Sequence, residues 1–175
     1  MSPKPRIGFY WCASCGGCDE ALVDLAEGIL SLTEAVDVAF WPCAMDFKRA
    51  DVEAMPDGHL AATFLNGAIR SDEQEEMARL LRAKSRFLIA YGACAHLGGV
   101  PALANLSSRE EMMRFYFDDG PSTVNPEHTR PQAQWGANGA ALHLPTLHHV
   151  VRSLDQVVRV DYYVPGCPPT PALTQ

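Results

Sequence analysis

The sequence lacks any apolar run near the roughly 20 residues that a membrane-spanning helix needs. Its first six residues lead into a β-rich segment without a signal-peptide core. Basic residues are scarce, because 14 Lys and Arg stand against 21 Asp and Glu, for a formal net charge of −7. This acidity argues against nucleic acid and anionic lipid as partners. We therefore expect a cytoplasmic protein with no direct membrane insertion.

The sequence also lacks internal repeats, low-complexity tracts and a recognisable catalytic constellation of side chains. Its 175 residues, 47% of them hydrophobic and 20% charged, suit one globular domain that buries about two-thirds of its unfolded surface in a single core. Such a core needs no disulfides, and no export signal places the chain in an oxidising compartment. The six cysteines are therefore interpreted as metal ligands or packed thiols.

Short β-rich runs alternate with amphipathic segments, which predicts an α/β domain with an open, mainly parallel sheet and helices on both faces. The predicted strands occupy residues 7–11, 36–40, 60–65, 87–91 and 157–164, and the fourth is apolar enough to be buried on both faces. The predicted helices occupy residues 18–31, 72–83, 107–115 and 147–154. A capping box of Ser71 and Gln74 opens the second helix. Residues 120–145 are rich in Pro, Asn, Gly and Gln and are predicted to be irregular.

Four cysteines lie in glycine-rich or proline-rich loops that follow predicted strands. Cys15 and Cys18 follow the first strand, Cys94 follows the fourth and Cys167 follows the fifth. The carboxyl ends of parallel strands share one edge of a sheet, where such folds bind their ligands. We therefore expect the four thiols to converge. Four thiolates suit one cubane iron–sulfur cluster, whose ligands need not be contiguous in sequence, so these loops indicate an electron carrier.

Three ordered segments, residues 15–24, 92–102 and 161–169, resemble the small subunit of nickel-iron hydrogenases. The likeness spans nearly the whole chain and is closest to cytoplasmic forms that pair with heterodisulfide reductase or reduce soluble cofactors. The resemblance implies a single flavodoxin-like domain over residues 1–175. It also implies that Cys15, Cys18, Cys94 and Cys167 bind one 4Fe-4S cluster, the one nearest the active site of a large subunit.

The same resemblance implies partners. These are a large nickel-iron-type catalytic subunit and a further iron–sulfur or flavin subunit that exchanges electrons with this chain. The sequence continues for only 175 − 167 = 8 residues after Cys167. We therefore expect either a short form or a fragment, without the C-terminal multi-cluster region of longer relatives, so that electrons leave through another protein.

Three other interpretations of the cysteines stay open. The chain also resembles the cluster-bearing small subunit of respiratory complex I, which would place it in a quinone-oxidoreductase module. That relative has adjacent cysteines in its first motif, whereas two glycines separate Cys15 from Cys18 here, which favours the hydrogenase side. A zinc-stabilised interaction module would use the same four thiolates, although structural zinc normally takes its ligands as two close pairs. A thioredoxin-like dithiol at Cys15 and Cys18 would leave Cys94 and Cys167 unexplained.

Several side chains near these motifs have simpler explanations than metal binding. Cys12 and Cys43 are interpreted as packed thiols. His96 either hydrogen-bonds a cluster sulfur or caps its loop. Asp19 and Glu20 are sufficiently explained by the dipole of the helix that they begin. Three further histidines are assigned to the surface or the core: His143, His148 and His149.

Overall fold

The structure is a computed structural model that describes residues 3–174. Its strands are β1 (Arg6–Trp11), β2 (Asp37–Phe40), β3 (Leu60–Asn66), β4 (Ile69–Ser71), β5 (Ser85–Tyr91), β6 (Gln134–Ala137), β7 (Ala140–His143), β8 (Leu147–Arg152) and β9 (Tyr162–Val164). Its α-helices are α1 (Gly17–Val23), α2 (Gly28–Ala35), α3 (Arg49–Glu53), α4 (Asp72–Lys84), α5 (Ala93–Leu97), α6 (Arg109–Arg114) and α7 (Pro171–Thr174). Two 3-10 helices (Val100–Leu106 and Leu154–Gln156) and one π-helical turn (Phe115–Asp119) complete the helical segments. Of the helices formed by residues 3–174, none has both the length and the apolar character needed to cross a bilayer.

Five parallel strands form the central sheet in the order β2-β1-β3-β5-β9. This is the order of flavodoxin-like doubly wound sheets, and it confirms the predicted α/β class. The first four predicted strands match β1, β2, β3 and β5 to within two residues. The fifth was predicted too long, because only three of its residues pair with β5.

Neighbouring residues of the sheet point into two apolar cores, as the alternation of side chains along a strand requires. On one face, Leu65 and Leu88 pack with Met77 and Leu81 of α4 and with Val52 of α3. Helix α4 begins with the predicted capping box, in which the Gln74 amide donates to Ser71 Oγ and Gln74 Oε1 accepts from the Ser71 amide. The larger core therefore fixes β3 and β5, two inner strands of the sheet, against their covering helices.

The second core lies on the opposite face of the sheet. Phe9 of β1 stacks on Phe64 of β3 with ring centroids 5.2 Å apart and meets Trp41 at 4.8 Å. Cys18 and Leu22 of α1 belong to the same core. The burial of Cys18 and Leu22 in this core thus anchors the first cysteine loop to the sheet.

The predicted helix over residues 18–31 is wrong as one element. The structure breaks it into α1 and α2 around Ala26, whose φ of +49° is left-handed and cannot continue a right-handed helix. Leu22 is buried but Leu30 is 63% exposed, so the apolar residues never form the single buried stripe that their spacing suggested.

The predicted helix over residues 147–154 is also wrong, because the segment forms β8. It pairs antiparallel with β4, with Ile69 opposite Arg152 and Ser71 opposite Leu147. Val150 and Val151 are β-branched and favour an extended chain once a partner strand is present. That partner lies far away in the sequence, so local spacing alone carried no sign of it.

The stretch over residues 120–145 is not wholly irregular. It contains an antiparallel hairpin of β6 and β7, joined by Asn138 and Gly139 with φ of +51° and +80°. An Asn-Gly pair is the preferred sequence of a two-residue hairpin turn that needs positive φ at both positions. This signal was present in the sequence and was missed.

Strand β5 is less buried than predicted. Leu88 and Ala90 are fully buried, but Phe87 is 47% exposed and lies against Tyr162 of β9 with ring centroids 5.7 Å apart. Because β9 is short, the outer part of β5 is left uncovered.

Candidate metal centre

Four cysteines meet where the carboxyl ends of β1, β5 and β9 come together. Cys15 precedes α1 and Cys18 lies in its first turn, Cys94 lies in α5 directly after β5, and Cys167 follows β9. Strand β3 separates β1 from β5, and β9 borders β5. The three loops that carry the cysteines therefore lie along one edge of the sheet.

Backbone hydrogen bonds join the second and third loops. The Gly92 amide donates to the Val164 carbonyl at 2.8 Å, and the Ala93 amide donates to the Gly166 carbonyl at 2.7 Å. These bonds continue the pairing of β5 with β9 past the ends of the strands. They hold Cys94 and Cys167 on neighbouring, mutually supported turns.

The first loop contacts the second at Gly92. A Cβ atom on Gly92 would overlap Cys18 Sγ, and the φ of +87° at this residue favours glycine. A Cβ on Gly99, where φ is +53°, would lie 2.8 Å from Cys94 Sγ. Because neither glycine has a side chain, the space beside Cys18 Sγ and Cys94 Sγ stays open.

The thiols influence one another electrostatically. Burial, and then the nearby thiols of Cys94, Cys15 and Cys167 together with Asp19, raise the pKa of Cys18 to about 12. Burial also raises the pKa of Cys94, with Cys167 and Cys15 acting in the same direction. Four thiolates would repel one another here, so a positively charged metal centre is what would keep all four deprotonated.

Two backbone amides point toward these sulfurs. The Gly17 amide lies 3.5 Å from Cys15 Sγ, and the Val100 amide hydrogen-bonds Cys94. Amide hydrogen bonds to ligating sulfur are one of the ways in which a protein tunes an iron–sulfur cluster. The donor set and its surroundings therefore fit such a group.

A single metal ion fits less well. Within residues 3–174, no group of three or more His, Cys, Asp and Glu side chains is arranged around one common point as a single ion requires. Zinc needs its sulfur ligands about 2.3 Å from one centre. The arrangement of the four thiols within the described residues is therefore not that of a zinc site.

Asp19 and its partners form a polar network beneath the first loop. Trp41 Nε1 donates to Asp19 Oδ1 at 2.8 Å, and Asn66 Nδ2 donates to Asp19 Oδ2 at 2.7 Å. Ser14 Oγ donates to Asn66 Oδ1 at 3.0 Å and lies 3.3 Å from the Gly16 amide, from which it accepts. Sequence reasoning missed this role for Asp19. A polar Asn at the end of an otherwise apolar strand was the available signal.

The remaining sequence candidates lie outside the thiol set. Cys12 is 5% exposed within the larger core, and burial raises its pKa, as a packed thiol requires. Cys43 is exposed, because the turn after β2 buries Trp41 and points the following residues outward; its interpretation as a packed thiol was wrong. The ring of His96 lies against Tyr163 with centroids 4.6 Å apart.

The three other histidines lie in the hairpin and in β8, away from the cysteine loops. His143 and His149 are exposed and His148 is half-buried. His148 Nε2 lies 3.1 Å from Glu75 Oε2, although the angle does not make it a hydrogen bond. Their assignment to surface and partly buried positions matches the structure.

Two large apolar side chains, in the helix that contains Cys94 and in the one that follows it, are open to solvent. Cys15 and Cys167 are exposed. Beyond Cys94, Leu97 is 72% exposed and Leu103 is 62% exposed. Leu97 and Leu103 form an apolar rim beyond Cys94, and an exposed apolar patch is typical of a surface that another protein covers.

Residues 15–174 match the family described as NADH ubiquinone oxidoreductase, 20 Kd subunit. Among the relatives, the iron-sulfur subunit of the F420-non-reducing hydrogenase of Archaeoglobus profundus is 38% identical over 94% of this chain and 51% of its own length. The corresponding F420-non-reducing hydrogenase subunit of Methanothermobacter thermautotrophicus is 34% identical over 97% of this chain and 50% of its own. The chain thus spans about half the length of these relatives.

Solved structures show the same likeness. A subunit of an NAD+-reducing [NiFe]-hydrogenase in the H2-reduced state superposes with a TM-score of 0.81 at 31% identity, over 97% of this chain and 85% of that one. The recombinant [NiFeSe] hydrogenase of Desulfovibrio vulgaris Hildenborough superposes with a TM-score of 0.59 at 15% identity, over 98% of this chain and 56% of that one. The second match shows a shared fold.

Proposed function

Because this chain belongs to the family of the NADH ubiquinone oxidoreductase 20 Kd subunit, we propose that it is the electron-transferring small subunit of a nickel-iron hydrogenase-like oxidoreductase. The observation that carries the proposal is the meeting of four thiols from three loops at one edge of the sheet. The relatives named as hydrogenase subunits support the hydrogenase assignment.

Cys15, Cys18, Cys94 and Cys167 hold one 4Fe-4S cluster in this proposal. Four cysteine thiolates are the common ligand set of such a cluster, and Gly92 and Gly99 leave the space beside two of the sulfurs free of side chains. When bound, the cluster accepts and releases single electrons. The four thiolates leave no iron open to substrate, so the chemistry on substrate belongs to another chain.

That other chain is a large catalytic subunit that covers the exposed apolar rim, and a further iron–sulfur or flavin subunit takes the electron onward. We place the assembly in the cytoplasm. A quinone-reducing module is the second candidate, and the family description favours it. The hydrogenase assignment has the stronger support, because two hydrogenase subunits are 38% and 34% identical to this chain.

The test is the metal content of anaerobically purified protein. We expect about four iron and four sulfide per chain, and we expect each of Cys15→Ala, Cys18→Ala, Cys94→Ala and Cys167→Ala to lose or degrade the cluster. Cys43→Ala is the matched control, since this thiol is exposed and outside the set. One zinc per chain without iron would end the proposal.

A further inference from the structure

Asp19 is a buried carboxylate without a cation. It is 8% exposed and is the one acidic side chain within residues 3–174 that is buried to this degree. Within that range no Lys, Arg or His side chain forms an ion pair or hydrogen bond with it, and its side-chain partners are the neutral Trp41 and Asn66. Burying a carboxylate without a cation is costly, and two hydrogen bonds and the N-terminal end of α1 offset only part of that cost. A fold that keeps this carboxylate beside Cys18 therefore gains something other than stability.

We propose that Asp19 is a positioning residue that fixes the Cys15–Cys18 loop and lowers the reduction potential of the cluster through its negative charge. This inference rests on the proposed function. It concerns the reduction potential of the cluster, which the identity of the four ligands does not determine.

The positioning part follows from what the network connects. Trp41 follows β2 and Asn66 ends β3, so the carboxylate joins helix α1 to two strands. Through Asn66 the network reaches Ser14, whose Oγ accepts from the Gly16 amide. The loop is therefore anchored just before Cys15 and just after Cys18.

The electrostatic part follows from the sign and the surroundings of the charge. Reduction adds an electron to a centre that already faces four thiolates, so a neighbouring negative charge opposes it. Charges interact more strongly in a buried, low-dielectric environment than in water, and the net charge around an iron–sulfur cluster is one determinant of its potential. Glu20 and Asp24 carry the same charge but are exposed to solvent, which screens them.

The network can accommodate a neutral group of the same shape. In Asp19→Asn, the new Oδ1 still accepts from Trp41 Nε1, and the new amide group donates to Asn66 once the Asn66 amide turns over. Asn66 then donates to Ser14 Oγ, which can accept because hydroxyls serve as both donor and acceptor. The variant thus removes the charge and keeps the contacts.

The experiment is a redox titration followed by electron paramagnetic resonance on anaerobically purified holoprotein, after iron and sulfide have been counted. We expect Asp19→Asn to keep its iron and to favour reduction by about tenfold or more in the equilibrium constant, which for a one-electron couple corresponds to about 59 mV. Asp24→Asn removes the same charge from an exposed position at the end of α1 and is expected to leave the potential unchanged. A loaded Asp19→Asn protein with the wild-type potential would overturn the inference.

A second variant covers the case in which Asp19→Asn holds too little iron to titrate. The exchange Asp19→Asn with Asn66→Asp moves the carboxylate across the same hydrogen bond and restores every donor and acceptor. Recovery of the cluster, with a potential nearer to the wild type, supports the inference; continued loss of iron contradicts it. Wild-type protein without iron would instead refute the proposed function, so the two failures are distinguishable.

Discussion

Gly92 lies where the backbone after β5 passes against the sulfur of Cys18. With a φ of +87° and no room for a Cβ, the position combines two independent requirements for glycine. We predict that Gly92→Ala lowers the iron content per chain several-fold, because the methyl group displaces either Cys18 Sγ or the turn that carries Cys94. The measurement is iron and sulfide per chain together with the visible absorbance of the cluster.

Gly136→Ala is the control for that substitution. A Cβ on Gly136 would meet nothing within 4 Å, and its φ is not in the left-handed region. We expect its iron content to equal that of the wild type. Equal iron in both variants would show that the space beside Cys18 is not part of the site.

At the scale of single residues, the sequence identified the four candidate ligands but not the side chains that hold their loops in place. Cysteines in glycine loops after strands are conspicuous, because the topology of a parallel sheet brings such loops together. Asp19, Trp41 and Asn66 come from three different segments, and only the folded chain makes them neighbours. The position of Asp19 in the first turn of a helix already explained its negative charge, so there was no reason in the sequence to expect its contacts with Trp41 and Asn66.

At the scale of elements, one side chain reinforces the attachment of β9 to the rest of the fold. Asp161 Oδ2 accepts from the Leu88 amide at 2.8 Å and also pairs with Arg82 of α4. The Leu88 amide, and then Arg82, hold the pKa of the Asp161 carboxyl below its usual value. The strand that delivers Cys167 is therefore tied to both β5 and α4.

We predict that Asp161→Asn reduces the free energy of unfolding by about 1 to 2 kcal/mol at neutral pH, since it loses a charged hydrogen-bond acceptor in a half-buried site. The pKa of Asp161 is lower in the folded chain than in the unfolded one. Its contribution is therefore full above a pH of about 4 and is lost as the pH falls further. The difference between wild type and variant should shrink in that range.

Urea unfolding of the cluster-free chain measures this effect, because acid protonates thiolate ligands and releases metal. Asp57→Asn is the matched control. Asp57 pairs with Lys84 at 3.0 Å but its side chain is 78% exposed, so its loss is expected to change stability by no more than about 0.5 kcal/mol. A pH-independent difference for Asp161→Asn would contradict the electrostatic explanation.

The hairpin of β6 and β7 is the element least supported by the rest of the fold. Trp135 stands opposite Leu142 across the two strands, and the two side chains are 58% and 54% exposed. An isolated two-stranded hairpin is marginally stable in water. We predict fast amide hydrogen exchange in the hairpin and slow exchange in β3 when the chain is alone, with protection of the hairpin in the complex with the large subunit. Equal protection in both states would remove the hairpin from the interface.

The elements that the sequence predicted well are those with strong local signals. The capping box at Ser71 and the apolar runs of β1, β3 and β5 needed no distant partner. Strand β8 could not be predicted in this way, because its conformation depends on pairing with β4. The break at Ala26 has no glycine or proline to mark it, so the local pattern offered no reason to end the helix there.

At the scale of the whole molecule, the exposed apolar rim beside the thiol edge is the surface proposed for the large subunit. We predict that Leu97→Asp or Leu103→Asp lowers the yield of the complex at least tenfold, because a charge is costly to bury in an apolar interface. Iron content should stay unchanged, since both side chains are mostly exposed to solvent. Co-expression with the large subunit followed by size-exclusion chromatography measures the outcome.

Leu30→Asp is the control for the rim. Leu30 is 63% exposed but lies on α2 beside β2, at the edge of the sheet opposite β9. We expect this variant to assemble normally. If Leu30→Asp prevented assembly and the rim variants did not, the interface would lie at the β2 edge of the sheet and not beside the thiols.

The placement of Cys15 and Cys167 has a consequence for assembly of the holoprotein. The two proposed ligands are 167 − 15 = 152 residues apart, so a shared cluster would close almost the entire chain into one loop. A crosslink across so long a loop removes much conformational entropy from the unfolded ensemble. Since β9 is only three residues long, we expect a cluster bound as proposed to fasten this last strand of the sheet to the rest of the fold.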